Sequence, residues 1–248
     1  MVTIRKPEEI TIMRQGGKIL AKVLKMVVKA VKPGISTLEL NKIAEEEIEK
    51  YKAKPAFKGY QGYPFTLCTS VNNEIVHSFP SAKKILKAGD IIGLDLGLQH
   101  KGYFADTAVT IGVGKISPQA KKLVRVTKNA LMKGLAQVKP GNYLGDISSA
   151  IQKYVEKNGF SIVRDLTGHG IGKELHEQPI ISNYGQPKTG IKLKEGMTLA
   201  IEPMVNQDDY KIKILKNGWT IVTADGSLSA HFEHTIVITK NGYQILTQ

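Results

Sequence analysis

A chain of 248 residues with 42% hydrophobic content can bury a full core, and no stretch approaches the roughly 18 continuous apolar residues of a membrane span. The net charge of +13 rests on 31 lysines and only four arginines. Scattered lysine describes a solvated surface better than a sequence-specific nucleic-acid reader, which favours the planar fork of arginine. The single cysteine, Cys68, excludes an internal disulfide and fits a reducing, cytoplasmic setting.

The N-terminal segment does not read as a signal peptide. Arg5, Lys6, Glu8, Glu9, Arg14 and Lys18 interrupt any apolar core, and Pro7 opens an amphipathic helical pattern instead, strongest over 10–31. A second helix is predicted over 37–52, after the turn Val31-Lys32-Pro33-Gly34. The stretch FKGYQGYPF at 57–65 concentrates aromatics in a glycine-broken segment.

Apolar alternation then runs through 91–98 and resumes at Tyr103, with Gln99, His100, Lys101 and Gly102 between as turn residues. A four-residue loop sets Asp95 opposite Asp106, and two carboxylates that close call for a cation or a shared proton. Leu94, Leu96 and Leu98 share the core face with Ala105, Val109 and Ile111. Asp95 shares the other with Gly93 and Gly97, whose small size leaves room for something that is not protein. The competing reading is a solvated Asp pair with the register off by one.

Helical patterns return over 119–138 and 144–158, and with them a repeat. Val31-Lys32-Pro33-Gly34 recurs as Val138-Lys139-Pro140-Gly141, and Leu86-Lys87-Ala88-Gly89 as Leu193-Lys194-Glu195-Gly196, both displaced by 107 positions. One domain of two similar halves, about 1–112 and 113–248, follows. At the same displacement Asp95 corresponds to Glu202, and a pseudo-twofold axis would bring their strands together at the centre of one sheet. His169 in a glycine-flanked GHGIG and Glu233 on a late strand complete a set of four carboxylates and one imidazole. Such a set suits two divalent ions, and its oxygen-rich character favours manganese, iron or cobalt over zinc.

The motifs NNEIVHSFP at 72–80, DLGLQHKGYFADTA at 95–108, TGHGIG at 167–172, GMTLAIEPM at 196–204 and LSAHFEHTI at 228–236 together resemble the bacterial-type methionine aminopeptidases among the pita-bread metallopeptidases. The resemblance implies an α/β (α+β) pita-bread fold, with a central, largely antiparallel curved sheet covered by helices. It implies that Asp95 chelates one metal, that His169 and Glu202 bind the other, and that Asp106 and Glu233 bridge them. Glu202 would also exchange the proton of an attacking, metal-activated hydroxide. His176 would stand by the scissile carbonyl and His77 near the leaving amide. Tyr60, Tyr63, Cys68 and Trp219 would line the methionine pocket, where thioether sulfur meets aromatic rings. Leu175, where the family carries an aromatic, and Ser78, where it carries glycine, depart from the pattern. His100, His231 and His234 read as structural. The implied substrates are nascent or newly made polypeptides with a free initiator methionine and a small second residue. The implied enzyme is a cytoplasmic monomer with transient ribosome association and no membrane or sequence-specific nucleic-acid role.

Overall fold

Helices begin where the sequence offers caps. Pro7 is the first residue of α1 (Pro7–Ala30), Glu8 and Glu9 fill its first turn, and the Glu9 carboxylate accepts the Lys6 N–H at 2.7 Å. A free backbone donor and the positive helix end are met by one side chain. At the start of α2 (Thr37–Lys50) Ser36 and Glu39 accept each other's backbone N–H at 2.8 and 3.2 Å, a reciprocal capping box. Ser117 caps α3 (Pro118–Leu135) by accepting from Ala120 N, and Asp146 accepts from Tyr143 N at the start of α4 (Leu144–Lys157). All four predicted helices are present, with every end within three residues of its expected place.

The computed structural model describes residues 2–248. Strands β1 (Lys54–Pro55), β2 (Leu67–Val71), β3 (Glu74–Val76), β4 (Ile91–His100) and β5 (Tyr103–Gly112) follow α2. After α4 come β6 (Ser161–Ile162), β7 (Thr167–Gly170), β8 (Glu177–Ser182), β9 (Thr198–Ile201) and β10 (Met204–Asn206). The chain ends with β11 (Ile212–Ile214), β12 (Ile221–Thr223), β13 (Ser229–His231), β14 (Glu233–Thr239) and β15 (Gly242–Ile245). Nine strands form one sheet along the path β1, β4, β5, β14, β9, β7, β8, with β2 also on β4 and β15 also on β14.

Period two divides this sheet into two chemistries. Ile92, Leu94, Leu96 and Leu98 pack with Leu20, Val23, Leu40 and Ile48 of α1 and α2. Leu199, Ile201, Ile236 and Ile238 pack with Leu123, Leu131, Ile147 and Ile151 of α3 and α4. Both helix pairs therefore cover one face of the sheet, and the alternate residues, Asp95 and Asp106 among them, are sent to the other.

The hairpin register differs from the sequence expectation. His100 pairs with Tyr103, so the loop is the two residues Lys101 and Gly102, with φ of 48° and 83°. Two successive positive φ values match the primed turn whose twist suits a hairpin. Asp95 consequently faces Ala108, and Asp106 faces Gly97. Sliding by two preserves the face, so the two carboxylates remain diagonal neighbours, with Cβ atoms up to roughly 7 Å apart.

Hydrogen bonds repeat at the 107-residue displacement. Gly34 N donates to Leu86 O at 2.8 Å, and Gly141 N to Leu193 O at 3.0 Å. Leu86 N donates to Ile35 O at 2.9 Å, and Leu193 N to Asn142 O at 2.7 Å. Gly34 and Gly141 have φ of 91° and 95°, a left-handed turn that favours glycine. Helices α2 and α4 coincide under the same displacement. The strands of Asp95 and Glu202 do not meet at the sheet centre, however, because β5 and β14 lie between β4 and β9. The antiparallel pairs β4–β5 and β9–β14 meet through β5 and β14.

Candidate metal centre and its cavity

Strand register assembles the cluster. Asp95 and Glu233 both pair with Ala108, from opposite sides, and the register that pairs His234 with Ile201 leads to Glu202 beside Glu233. One row across β4, β5, β14 and the end of β9 thus reads Asp95, Ala108, Glu233, Glu202. Asp106 lies two residues along β5 on the same face. Its backbone is clasped to β14, where Asp106 N donates to Thr235 Oγ1 at 2.9 Å and Thr235 Oγ1 donates to Asp106 O at 2.8 Å. Thr107 and Thr110 make matching bonds to the carbonyls of Glu233 and His231. From β7, His169 donates through Nδ1 to Gly170 O at 2.8 Å. That bond leaves the Nε2 lone pair for the cluster, 3.5 Å from Glu202 Oε1.

The donor set fits divalent cations. Ligand atoms of Asp106, His169 and Glu233 all lie within 4.8 Å of one another. Asp95 Oδ1, Asp106 Oδ1 and Glu233 Oε1 are buried without a hydrogen-bond partner. No lysine or arginine lines the cavity among the described residues. Burial pushes the Asp106 carboxyl up to about 7. Burial first, and then the charge of Asp106, holds Asp95, Glu202 and Glu233 well above the ordinary carboxylate range. Four carboxyls in a buried site either keep protons or share cations, and orphaned oxygens are what cations would satisfy. Burial lowers His169 to about 3, so its imidazole is neutral, as a metal ligand must be.

The same cavity, about 150 Å³ in volume, has an apolar wall. Tyr60, Tyr63, Cys68 and Trp219 line it together with His77 and His176. All eleven residues singled out from sequence therefore converge on one space. Tyr63 meets Trp219 edge to face at 5.2 Å, and its hydroxyl donates to Ser78 O at 3.2 Å. Cys68 pairs directly with Asp95 across β2 and β4. Burial pushes both the Cys68 thiol and the Tyr63 hydroxyl up, so this wall is uncharged.

His77 follows β3 in a left-handed conformation, φ 55°, with its ring 6.3 Å from Trp219. His176 Nδ1 lies 2.8 Å from the Tyr60 hydroxyl, and its ring is 4.4 Å from that of His169. Burial lowers both, His77 to about 4. Both imidazoles are therefore neutral near pH 7.

Other features were not legible from sequence. The room beside Gly97 is taken by protein, since a Cβ there would lie 2.7 Å from the Phe57 ring, which forms part of the cavity wall. Phe57 and Gln61 line the space; the dense aromatic stretch was the available signal. Leu175 lines it too and is only 2% exposed, so the departure keeps an apolar surface. His231, read as structural, places Nε2 3.7 Å from Glu202 Oε2, and that buried atom has no hydrogen-bond partner. Its spacing of two from Glu233 was the clue. His234 instead bonds Thr247 on the helix-covered side.

The pattern that defines metallopeptidase family M24 matches residues 11–240. The chain belongs to that family. As an M24 metallopeptidase it is a hydrolase, and its relatives are similar over their whole length. The methionine aminopeptidase of Clostridium perfringens is 51% identical, with 100% of this chain and 99% of the relative covered. Methionine aminopeptidase 1 of Bacillus subtilis is also 51% identical, with both chains fully covered. The crystal structure of methionine aminopeptidase from Thermotoga maritima superposes with a TM-score of 0.99 at 48% identity, over 100% of each chain. The M24 chain has the pita-bread fold of that structure.

Proposed function

We propose that this M24 chain releases the initiator methionine from polypeptides whose second residue is small, by hydrolysing the first peptide bond. The observation that carries the reading is a single cavity in which an acidic cluster with one imidazole stands against Phe57, Tyr60, Tyr63, Cys68 and Trp219. The full-length relatives named for this activity support it.

In this reading Asp95, Asp106, His169, Glu202 and Glu233 would together hold two divalent cations, Asp95 serving one, His169 and Glu202 the other, and Asp106 and Glu233 both. Oxygen-rich donors favour manganese, iron or cobalt over zinc. Bound there, the ions would lower the pKa of a water toward neutrality and polarise the first peptide carbonyl. A Glu202 carboxylate oxygen takes the proton of the attacking water and returns it to the leaving amine. His176 donates from Nε2 to the carbonyl oxygen as charge develops, which requires the Tyr60 hydroxyl to donate to Nδ1. His77 serves the leaving amide. The aromatic and thiol wall receives the methionine side chain, and crowding beyond the scissile bond selects a small second residue.

The substrates are nascent or newly made chains already freed of the formyl group. The chain acts as a cytoplasmic monomer, one domain with related halves at about 1–112 and 113–248, and its lysine-rich surface serves a transient approach to the ribosome. A role in sequence-specific nucleic-acid binding or in the membrane is not part of the proposal; no helix among the described residues is long and apolar enough to cross a membrane. Hydrolysis of Met-Ala-Ser compared with Ala-Pro substrates, in Mn²⁺, Co²⁺ or Fe²⁺, tests the reading. Preference for Met-Ala-Ser is expected, and preference for the proline substrate would refute it.

A further inference from the structure

The loop between β7 and β8 carries Leu175 and His176 into the cavity, and a part-buried ion pair with a distant part of the chain holds it. Arg5 lies just ahead of α1 and is 5% exposed. Its Nη2 donates to Glu177 Oε2. Glu177 Oε1 accepts from Lys173 N at 2.8 Å and from Glu174 N at 3.1 Å. One carboxylate thus binds the guanidinium with one oxygen and gathers the loop backbone with the other.

The approach is close enough to dictate the residue it meets. A Cβ on Gly172 would lie 1.9 Å from Arg5 Nη2 and 2.3 Å from Cζ, so only glycine admits the guanidinium there. The ends of the arrangement are fixed as well. Arg5 N donates to Gly196 O at 2.9 Å, in the turn before β9, and Phe104 N on β5 donates to Gly172 O at 2.7 Å. Arg5 does not line the cavity, so it has no contact with the reacting atoms. Burying two charges is costly and adds little net stability, even when they are well paired. What the pair supplies is one conformation for the residue next to Glu177, which is His176.

We propose that Arg5 is a positioning residue for His176: through Glu177 it fixes the 172–177 loop so that the imidazole meets the scissile carbonyl. This rests on the methionine-releasing reading above. A displacement of about 1 Å in such a group costs on the order of 100-fold in rate, while Phe57, Tyr60, Tyr63, Cys68 and Trp219 of the methionine pocket stand on other segments and only Leu175 shares the loop. Loss of the pair should therefore lower kcat and leave KM nearly unchanged.

The test is a set of kinetic cycles on Met-Ala-Ser with saturating metal. Arg5→Met and Glu177→Gln, alone and each combined with His176→Ala, are compared with wild type, with Tm recorded for every variant. Each single variant is expected to lose kcat on the order of 100-fold, with KM within about threefold. In the His176→Ala background neither should cost more than about threefold, because the group they position is gone. Losses that multiply with that of His176→Ala, or single variants within threefold of wild-type kcat, would overturn the proposal. If Arg5→Met does not fold, Glu177→Gln, which keeps the shape of the side chain, decides by the same criteria. A wild type that ignores Met-Ala-Ser would overturn the methionine reading and this proposal with it. A wild type that cleaves it while the effects multiply would overturn this proposal alone.

Discussion

Asp106 shows what a single residue must satisfy in this site. Its backbone is bonded to Thr235, its Oδ1 has no partner, and burial pushes its carboxyl up to about 7. A carboxyl raised in this way keeps its proton in the folded state. Its contribution to the stability of the metal-free protein is therefore full below the ordinary value of 3.8 and is lost as pH rises toward 7. In the proposed metal centre a divalent cation would replace that proton. The rise in Tm on adding Mn²⁺ should accordingly grow between pH 5 and pH 7.5, as scanning calorimetry can measure; a gain independent of pH would contradict the proton-for-metal exchange. Gly97 makes a different demand. In Gly97→Ala the new Cβ would lie 2.7 Å from the Phe57 ring, pressing that ring into the cavity. The expected result is a KM for methionyl peptides raised several-fold and a stability loss of about 1–3 kcal/mol, read from steady-state kinetics and urea denaturation.

At the scale of elements, legibility followed local chemistry. The helices were readable from their apolar periodicity and, for the first, from Pro7 at its start, while the Ser36–Glu39 capping box emerged only in the structure. The hairpin was readable in face but not in register: Gln99 to Gly102 all look like turn residues, yet only Lys101 and Gly102 leave the ladder. The displacement by two kept both carboxylates on the same face, which is why a wrong pairing still pointed to the right chemistry. The row of Asp95, Ala108, Glu233 and Glu202 depends on pairings between strands far apart in sequence, and no local signal encodes it. The threonine clasp between β5 and β14 was equally hidden. In Thr235→Val the Asp106 N–H and C=O both lose their partner, which should cost about 2 kcal/mol or more and weaken metal binding roughly tenfold. Denaturation and metal titration of that variant check both effects; unchanged metal affinity would show that the clasp does not shape the cluster.

For the whole molecule, the 107-residue displacement was readable as repeated turns, and the hydrogen bonds of Gly34 and Gly141 with Leu86 and Leu193 repeat at that interval. The strand order was not readable, since only the structure shows β5 and β14 at the junction with β4 and β9 outside them. That arrangement lets segments far apart in sequence send side chains into one cavity while both helix pairs cover the opposite face. The central claim is that this cluster works as a metal centre for methionine release. Its most direct test is hydrolysis of Met-Ala-Ser by chelated protein, by the same protein resupplied with Mn²⁺, Co²⁺ or Fe²⁺, and by Asp106→Ala under identical conditions. Activity should vanish on chelation and return with metal, and Asp106→Ala should stay down by more than the roughly 100-fold that loss of an outer partner costs. Full activity in the chelated protein, or near wild-type rates in Asp106→Ala, would contradict the account.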